Sequence, residues 1–384
     1  MIKAIINARL VLPSGLQEGT LLVEDGQILA AGSVIPPRDA EIIDAKGRIV
    51  GPGFIDIHCH GGGTAHGHEN PAEAARHHLK SGTTSLLLSL AYSLTKEAFL
   101  QGIHNIRAVM EQEPGNLTGI HFEGPYTSPK YGARSEAAWE MNQDDYVQLF
   151  DEAKGLVYQC TYAPERPGAR AFAQYAHAQG VKLAAGHTEM SPAILEEAIS
   201  DGVTIITHLF DAMGCHLGKD SIRSTGIIQD SAADAVLARG GLFVEIICDS
   251  RAIHVKPSNL RLALRAAGPD HVVLITDATI RPHDPSQYPE DDYRSSPDLN
   301  FNEAGQLSGS RLTMDQACRN MKHYTQASIP DLFKMASTNA ARAIGIDHEV
   351  GSLEVGKWAN LVFCDDDMNL IEVYLRGNPV NREA

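Results

Sequence analysis

Phe54-Ile55-Asp56-Ile57-His58-Cys59-His60 is a β-type run that ends in two imidazoles one residue apart. Side chains of a strand alternate faces, so His58 and His60 share one face and Cys59 takes the other. Runs of the same kind recur at 84–90, 119–123, 156–161, 181–186, 203–207, 242–247 and 272–276. Between them lie helix-like stretches at 71–80, 96–111, 144–153, 169–179, 192–200 and 257–267, several opened by a capping residue such as Asn142 or Ser191. Short apolar strands alternating with helices make parallel βα units. Eight of them close into an α/β fold of one kind, a (β/α)8 TIM-like barrel.

The two ends read differently. Residues 1–52 carry strand-like pieces at 2–6, 21–24, 27–30 and 41–44 with a turn at Asp25-Gly26, a hairpin pattern. The tail repeats it at 361–364 and 371–375, the latter running into Arg376-Gly377-Asn378-Pro379. The expected organisation is a barrel over 53–348 beside a small β-sandwich domain formed by both chain termini, 1–52 and 349–384. Residues 281–297, rich in Pro, Asp and Ser, read as a long loop after the last barrel strand.

In 384 residues, 32 Lys and Arg stand against 48 Asp and Glu, a net charge of −16. Such a surface repels nucleic-acid phosphates and anionic lipid, which argues against both as partners. No segment approaches the roughly 18 apolar residues of a membrane span, and Asn7 and Arg9 interrupt the first apolar run too early for a signal peptide, so a cytoplasmic location is expected. The six cysteines (59, 160, 215, 248, 318 and 364) contain no Cys-x-x-Cys pair and read as reduced, mostly buried thiols. Histidine is the unusual component, with 17 copies.

At the C-terminal ends of barrel strands, side chains distant in sequence face one mouth. Those ends read His58-Cys59-His60, His121-Phe122-Glu123-Gly124-Pro125, Gly186-His187-Thr188, Thr207-His208-Leu209 and Thr276-Asp277-Ala278. Taken singly, a strand-end histidine is more often a hydrogen-bonded structural residue, and an aspartate a helix cap. Four of these histidines (58, 60, 187 and 208), with one glutamate and one aspartate at the strand ends of one barrel, form a nitrogen and oxygen donor set suited to zinc or iron(II). His66 and His68, in a Gly-rich loop, read as solvated.

These motifs, with Gly51-Pro52-Gly53-Phe54, His208-Leu209-Phe210-Asp211-Ala212-Met213, Leu307-Ser308-Gly309-Ser310, Leu312-Thr313-Met314, Asn339-Ala340-Ala341-Arg342 and Gly351-Ser352-Leu353-Glu354, resemble the amidohydrolase superfamily. Within it the sequence is most similar to the N-acetylglucosamine-6-phosphate deacetylases, along nearly the whole chain. The resemblance implies that Glu123, His187 and His208 hold one divalent metal and that His58 and His60 add a second position bridged by Glu123. It implies zinc first and iron second, one or two ions per subunit, with water acidified to a pKa of about 7. Asp277 then takes the water's proton and returns it to the leaving amine. Arg134, Asp211, Ala212, Arg223, His254 and Leu307 fall around an amino sugar phosphate, with Arg223 reaching across a homodimer.

Two positions depart from that pattern. Gly132-Ala133-Arg134 stands where the branch has a Gly-small-His triplet, and Asp211 replaces an asparagine at the sugar phosphate. The segment from Gly214 to Lys219 is also longer. A guanidinium serves an oxyanion or an anionic group but not as a neutral imidazole, and a carboxylate repels phosphate. Three functions are therefore weighed: hydrolysis of the acetamide of an N-acetylhexosamine 6-phosphate, hydrolysis of another N-acyl or cyclic amide, and a non-catalytic scaffold. The complete donor set disfavours the last.

Overall fold

The computed structural model describes residues 1–215, 229–280 and 283–382. Eight parallel strands, Phe54–Cys59, Thr83–Ala91, Leu117–Glu123, Val157–Tyr162, Lys182–Ala185, Val203–Ile206, Phe243–Ile247 and Val272–Ile275, follow one another in a single sheet. Each expected strand is present, with its limits moved by a residue or two.

The seam between the first and last of these strands is made by the residues that carry the chemistry. Asp277 N donates to His58 O at 2.9 Å, and His60 N and Gly61 N both donate to Ala278 O, at 2.7 and 2.9 Å. One turn deeper, the buried Asp56 carboxylate accepts from Thr276 Oγ1 at 2.5 Å and from His58 N at 3.2 Å. Burial pushes this carboxyl up to about 7, against the hydrogen bonds that favour its charged form. Barrel closure and site assembly are thus one event in space.

Helices flank the strands much as the sequence indicates, Pro71–Lys80 and Pro192–Ser200 to the residue. Ala232–Arg239, opened by a Ser231/Asp234 capping box, and Met314–Thr325 add two more. A helical stretch over Ile329–Phe333, Lys334–Thr338 and Asn339–Ile344 follows. Its Ala340, Ala343 and Ile344 join Ile55, Ile57, Leu87, Ile205, Ile247, Val273 and Ile275 of the barrel strands in one apolar cluster. Between residues 283 and 297 the only regular structure is two short turns, Pro285–Gln287 and Tyr293–Ser295. A hairpin of Leu299–Phe301 and Leu307–Ser310 then returns to the mouth, where Ser310 N donates to Asp277 O at 2.8 Å.

Both termini enter one eight-stranded sheet. Its joint is Ile49–Pro52, parallel to the initial strand Lys3–Leu12 on one side and antiparallel to Leu361–Cys364 on the other. The sheet has its own apolar cluster, including Leu10, Leu21, Val50, Leu361 and Phe363. All six cysteines are free, five buried and Cys215 half-buried. No helix of the described residues is long and apolar enough to cross a membrane.

Strand alternation places Cys59 toward the helix Pro71–Lys80, where its Sγ lies 3.2 Å from His78 Nε2; that nitrogen donates to Gly61 O at 3.0 Å. His78 is fully buried, and burial lowers its pKa to about 4. The unfolded chain, with histidine near 6.5, takes up a proton between pH 6.5 and 4 that the native state refuses. Stability conferred by neutral His78 is therefore present above pH 6.5 and declines as pH falls to 4, by up to about 3 kcal/mol. Denaturation of His78→Gln across this interval is expected to show a flatter dependence on pH, and an unchanged slope would place the proton uptake elsewhere.

Candidate metal centre

The first strand delivers His58 and His60, the third His121 and Glu123, and the segments after the fifth, sixth and eighth strands deliver His187, His208 and Asp277. These last three residues have φ of 46°, 26° and 47°, the left-handed region that side chains with a Cβ seldom occupy. Strain of this kind is held where a surrounding structure over-determines it, commonly at functional sites.

Glu123 lies between two donor groups. Its Oε1 is 2.9 Å from His187 Nε2, 3.3 Å from His208 Nε2 and 3.4 Å from His58 Nε2, and its Oε2 is 3.2 Å from His60 Nε2. Asp277 Oδ1 is 3.3 Å from His60 Nε2 and 3.6 Å from His58 Nε2. Two sets of three ligand-type side chains result, His58/His60/Glu123 and Glu123/His187/His208, each with donor atoms within 4.8 Å of one another.

The outward nitrogens decide what the inward ones can do. Nδ1 of His60 meets Ser89 O at 3.1 Å, that of His187 meets Tyr131 O at 3.0 Å, that of His208 meets Asp211 O at 3.2 Å, and that of His58 meets Glu245 Oε2 at 3.1 Å. Carbonyl and carboxylate oxygens only accept, so each Nδ1 carries the hydrogen and each neutral ring aims a lone pair from Nε2. The Nε2 atoms of His187 and His208 stand 3.0 Å apart, and the buried Nε2 of His58 has no hydrogen-bond partner. Four lone pairs and two carboxylates converge, an arrangement that only positive charge at their centre satisfies. This donor chemistry fits one or two divalent cations.

A proton is one positive charge that this arrangement draws in. Burial opposes charge on His208, yet its hydrogen bond to Glu123 and the charge of Asp211 raise it to about 9. His58 is raised against burial by Glu123, Glu245 and Asp277, and His60 by Glu123 and Asp277. Burial would raise Glu123 and Asp277, but the surrounding imidazoles hold both down. His121 differs: its nitrogens meet Ser89 Oγ at 2.9 Å and Thr161 Oγ1 at 2.8 Å, and burial keeps it neutral, so it is a structural histidine beneath the centre.

Above the centre opens a cavity of about 390 Å³ whose wall includes Arg134, Asp211, Ala212 and Leu307. Four of the six expected substrate residues are thus brought together. Arg134 sits on an exposed loop in the left-handed region, φ 67°. The preceding Gly132 is required there, since a Cβ would lie 2.5 Å from His187 Nδ1 and 2.7 Å from Tyr92 Oη. His254 is not on the cavity wall; it is buried with Nδ1 3.0 Å from Asp249 Oδ2 and an unpartnered Nε2. Arg223 lies outside the described residues. His66 and His68, read as solvated, are half-buried and line the cavity, because the short hairpin Gly61–Gly62 with Ala65–His66 folds the loop back over the mouth. Sequence reasoning missed Glu245, the anchor of His58, although a lone carboxylate inside the apolar strand Phe243–Ile247 was its visible sign.

A barrel whose strand ends gather two histidine and carboxylate sets around a shared glutamate is the architecture of a metal-dependent hydrolase. The chain matches the amidohydrolase family over residues 49–380 and belongs to it. Along 94% of its length it is 31% identical to the N-acetylglucosamine-6-phosphate deacetylase of Bacillus subtilis, covering 93% of that protein. Among solved structures it resembles the N-acetylglucosamine-6-phosphate deacetylase of Pasteurella multocida, with 26% identity, 99% of this chain and 100% of that one covered, and a TM-score of 0.85. It also resembles an aspartate-to-alanine mutant of the Mycobacterium smegmatis enzyme in complex with N-acetyl-D-glucosamine-6-phosphate, with 27% identity, 99% and 98% covered, and a TM-score of 0.82.

Proposed function

We propose that the chain hydrolyses the acetamide of N-acetylglucosamine 6-phosphate, yielding glucosamine 6-phosphate and acetate. The observation that carries this reading is the pair of donor sets sharing Glu123, with Asp277 against them, at the foot of one cavity. Similarity along nearly the full chain to proteins bearing that activity in their names supports it.

His58, His60, Glu123, His187 and His208 are the residues to hold divalent metal, zinc before iron, at one or both positions. A cation there supplies Lewis acidity that polarises the amide carbonyl and acidifies water to a pKa of about 7. The Asp277 carboxylate accepts the proton of the attacking water and delivers it to the amide nitrogen, which leaves only as a neutral amine. Arg134, on the cavity wall, donates to the carbonyl oxygen as negative charge grows on it. Arg223 is assigned to the phosphate. A homodimer in the cytoplasm, with the barrel limited to 53–348, completes the reading.

Acetate release from N-acetylglucosamine 6-phosphate by protein purified without chelators tests it, and no turnover by the metal-loaded protein would sink it. Metal analysis checks the centre separately: less than about one equivalent of zinc or iron argues against any metal-dependent hydrolysis. Asp211 on the cavity wall favours a second reading, another N-acyl amide lacking phosphate, which a panel of N-acyl amino acids and cyclic imides would reveal.

A further inference from the structure

Among the four histidines of the centre, His58 alone is backed by a charge. His60, His187 and His208 each donate Nδ1–H to a neutral backbone carbonyl, of Ser89, Tyr131 and Asp211. His58 donates to the Glu245 carboxylate, which is itself fully buried. Glu245 is gripped from both sides: Gln159 Nε2 donates to its Oε1 at 2.6 Å, and the backbone N–H of His208 approaches Oε2 at 3.4 Å. The carboxylate therefore fixes the ring plane and tautomer of His58 and adds a negative charge behind one donor set only. A carboxylate behind a ligating imidazole strengthens its electron donation, and removing such a partner weakens metal binding by about 10- to 100-fold.

We propose that Glu245 is the positioning residue that makes the His58/His60/Glu123 set a competent cation site. The asymmetry is the argument. Glu123, His187 and His208 need no charged support, since two imidazoles and the carboxylate meet within 3.3 Å and both rings are fixed by rigid carbonyls. The other set shares Glu123 with the first, brings two rings from the end of a single strand, and has beside them the Asp277 carboxylate, which is assigned to carry protons. Without Glu245 nothing described holds the Nδ1–H of His58, and the ring loses its reason to present Nε2 inward.

This inference rests on the metal-centre reading above, and titration of metal-free protein with Zn²⁺ against a competing chelator separates the two. The unaltered chain is expected to bind two equivalents. Glu245→Gln is expected to keep the first with unchanged affinity and to bind the second about 10- to 100-fold more weakly. The double change Glu245→Gln with Gln159→Glu keeps an amide and a carboxylate in contact but moves the charge away from His58, so it restores packing and leaves the second ion weak. Binding of no zinc by the unaltered chain would defeat the functional reading itself; binding of one would overturn only this inference. Two ions held at full affinity by Glu245→Gln, equal weakening of both, or recovery of the second ion by the double change would also overturn it. So would failure of both variants to fold, which would make Glu245 a residue of folding.

Discussion

Asp277→Asn is expected to lower kcat on N-acetylglucosamine 6-phosphate by about 100- to 10,000-fold while zinc content and thermal midpoint remain those of the unaltered chain. The range is that of a positioned general acid and base. The change is nearly isosteric, and the main-chain hydrogen bonds that hold residue 277, from its N to His58 O and from Ser310 N to its O, do not involve the side chain. What disappears is the capacity to take a proton at the oxygen 3.3 Å from His60 Nε2. Because that capacity is used only as the reaction proceeds, kcat should fall far more than KM changes. Stopped assays with metal analysis on the same preparation decide it, and activity within tenfold of the original would move the base elsewhere.

Glu123→Gln is expected to abolish measurable turnover, a loss of at least about 1,000-fold, and to bring bound zinc below about one equivalent. Glu123 is the only residue present in both donor sets, so one substitution removes an anionic ligand from each position at once. An amide retains the shape but not the negative charge that helps hold a cation among the four inward lone pairs. The fold is expected to survive, because the apolar clusters that pack the barrel do not pass through this side chain. Retention of two zinc ions by this variant would mean that the two sets are not joined through Glu123.

Much of this was legible in the chain because parallel barrel strands are buried on both faces and announce themselves as apolar runs. Five of the eight ended in a residue the site uses, so the runs and the site residues marked one another. His58, His60, Glu123, His187, His208 and Asp277 were located this way, and the structure brings all six together. What stayed hidden depended on contacts across the barrel. That Glu245 on the seventh strand backs His58 on the first is a fact of closure, to which no local pattern responds. Nothing in the Gly-rich run before His66 and His68 indicated that a two-residue hairpin would fold them over the cavity. His121 carried the same local signal as the ligands, and only its two hydroxyl partners show it to be structural.

The strand Ile49–Pro52 has a bearing on synthesis. It leads directly into the first barrel strand, yet one of its two edges is covered only by Leu361–Cys364. A ribosome extruding this chain must therefore leave an inner strand with exposed N–H and C=O groups until almost everything else has emerged, and such an edge invites pairing with other nascent chains. The barrel can begin to assemble on its own timetable, but the terminal domain is sealed last. Slowing translation late in the message, or cutting the chain just before Leu361, should therefore penalise yield through aggregation rather than through any change at the distant metal centre.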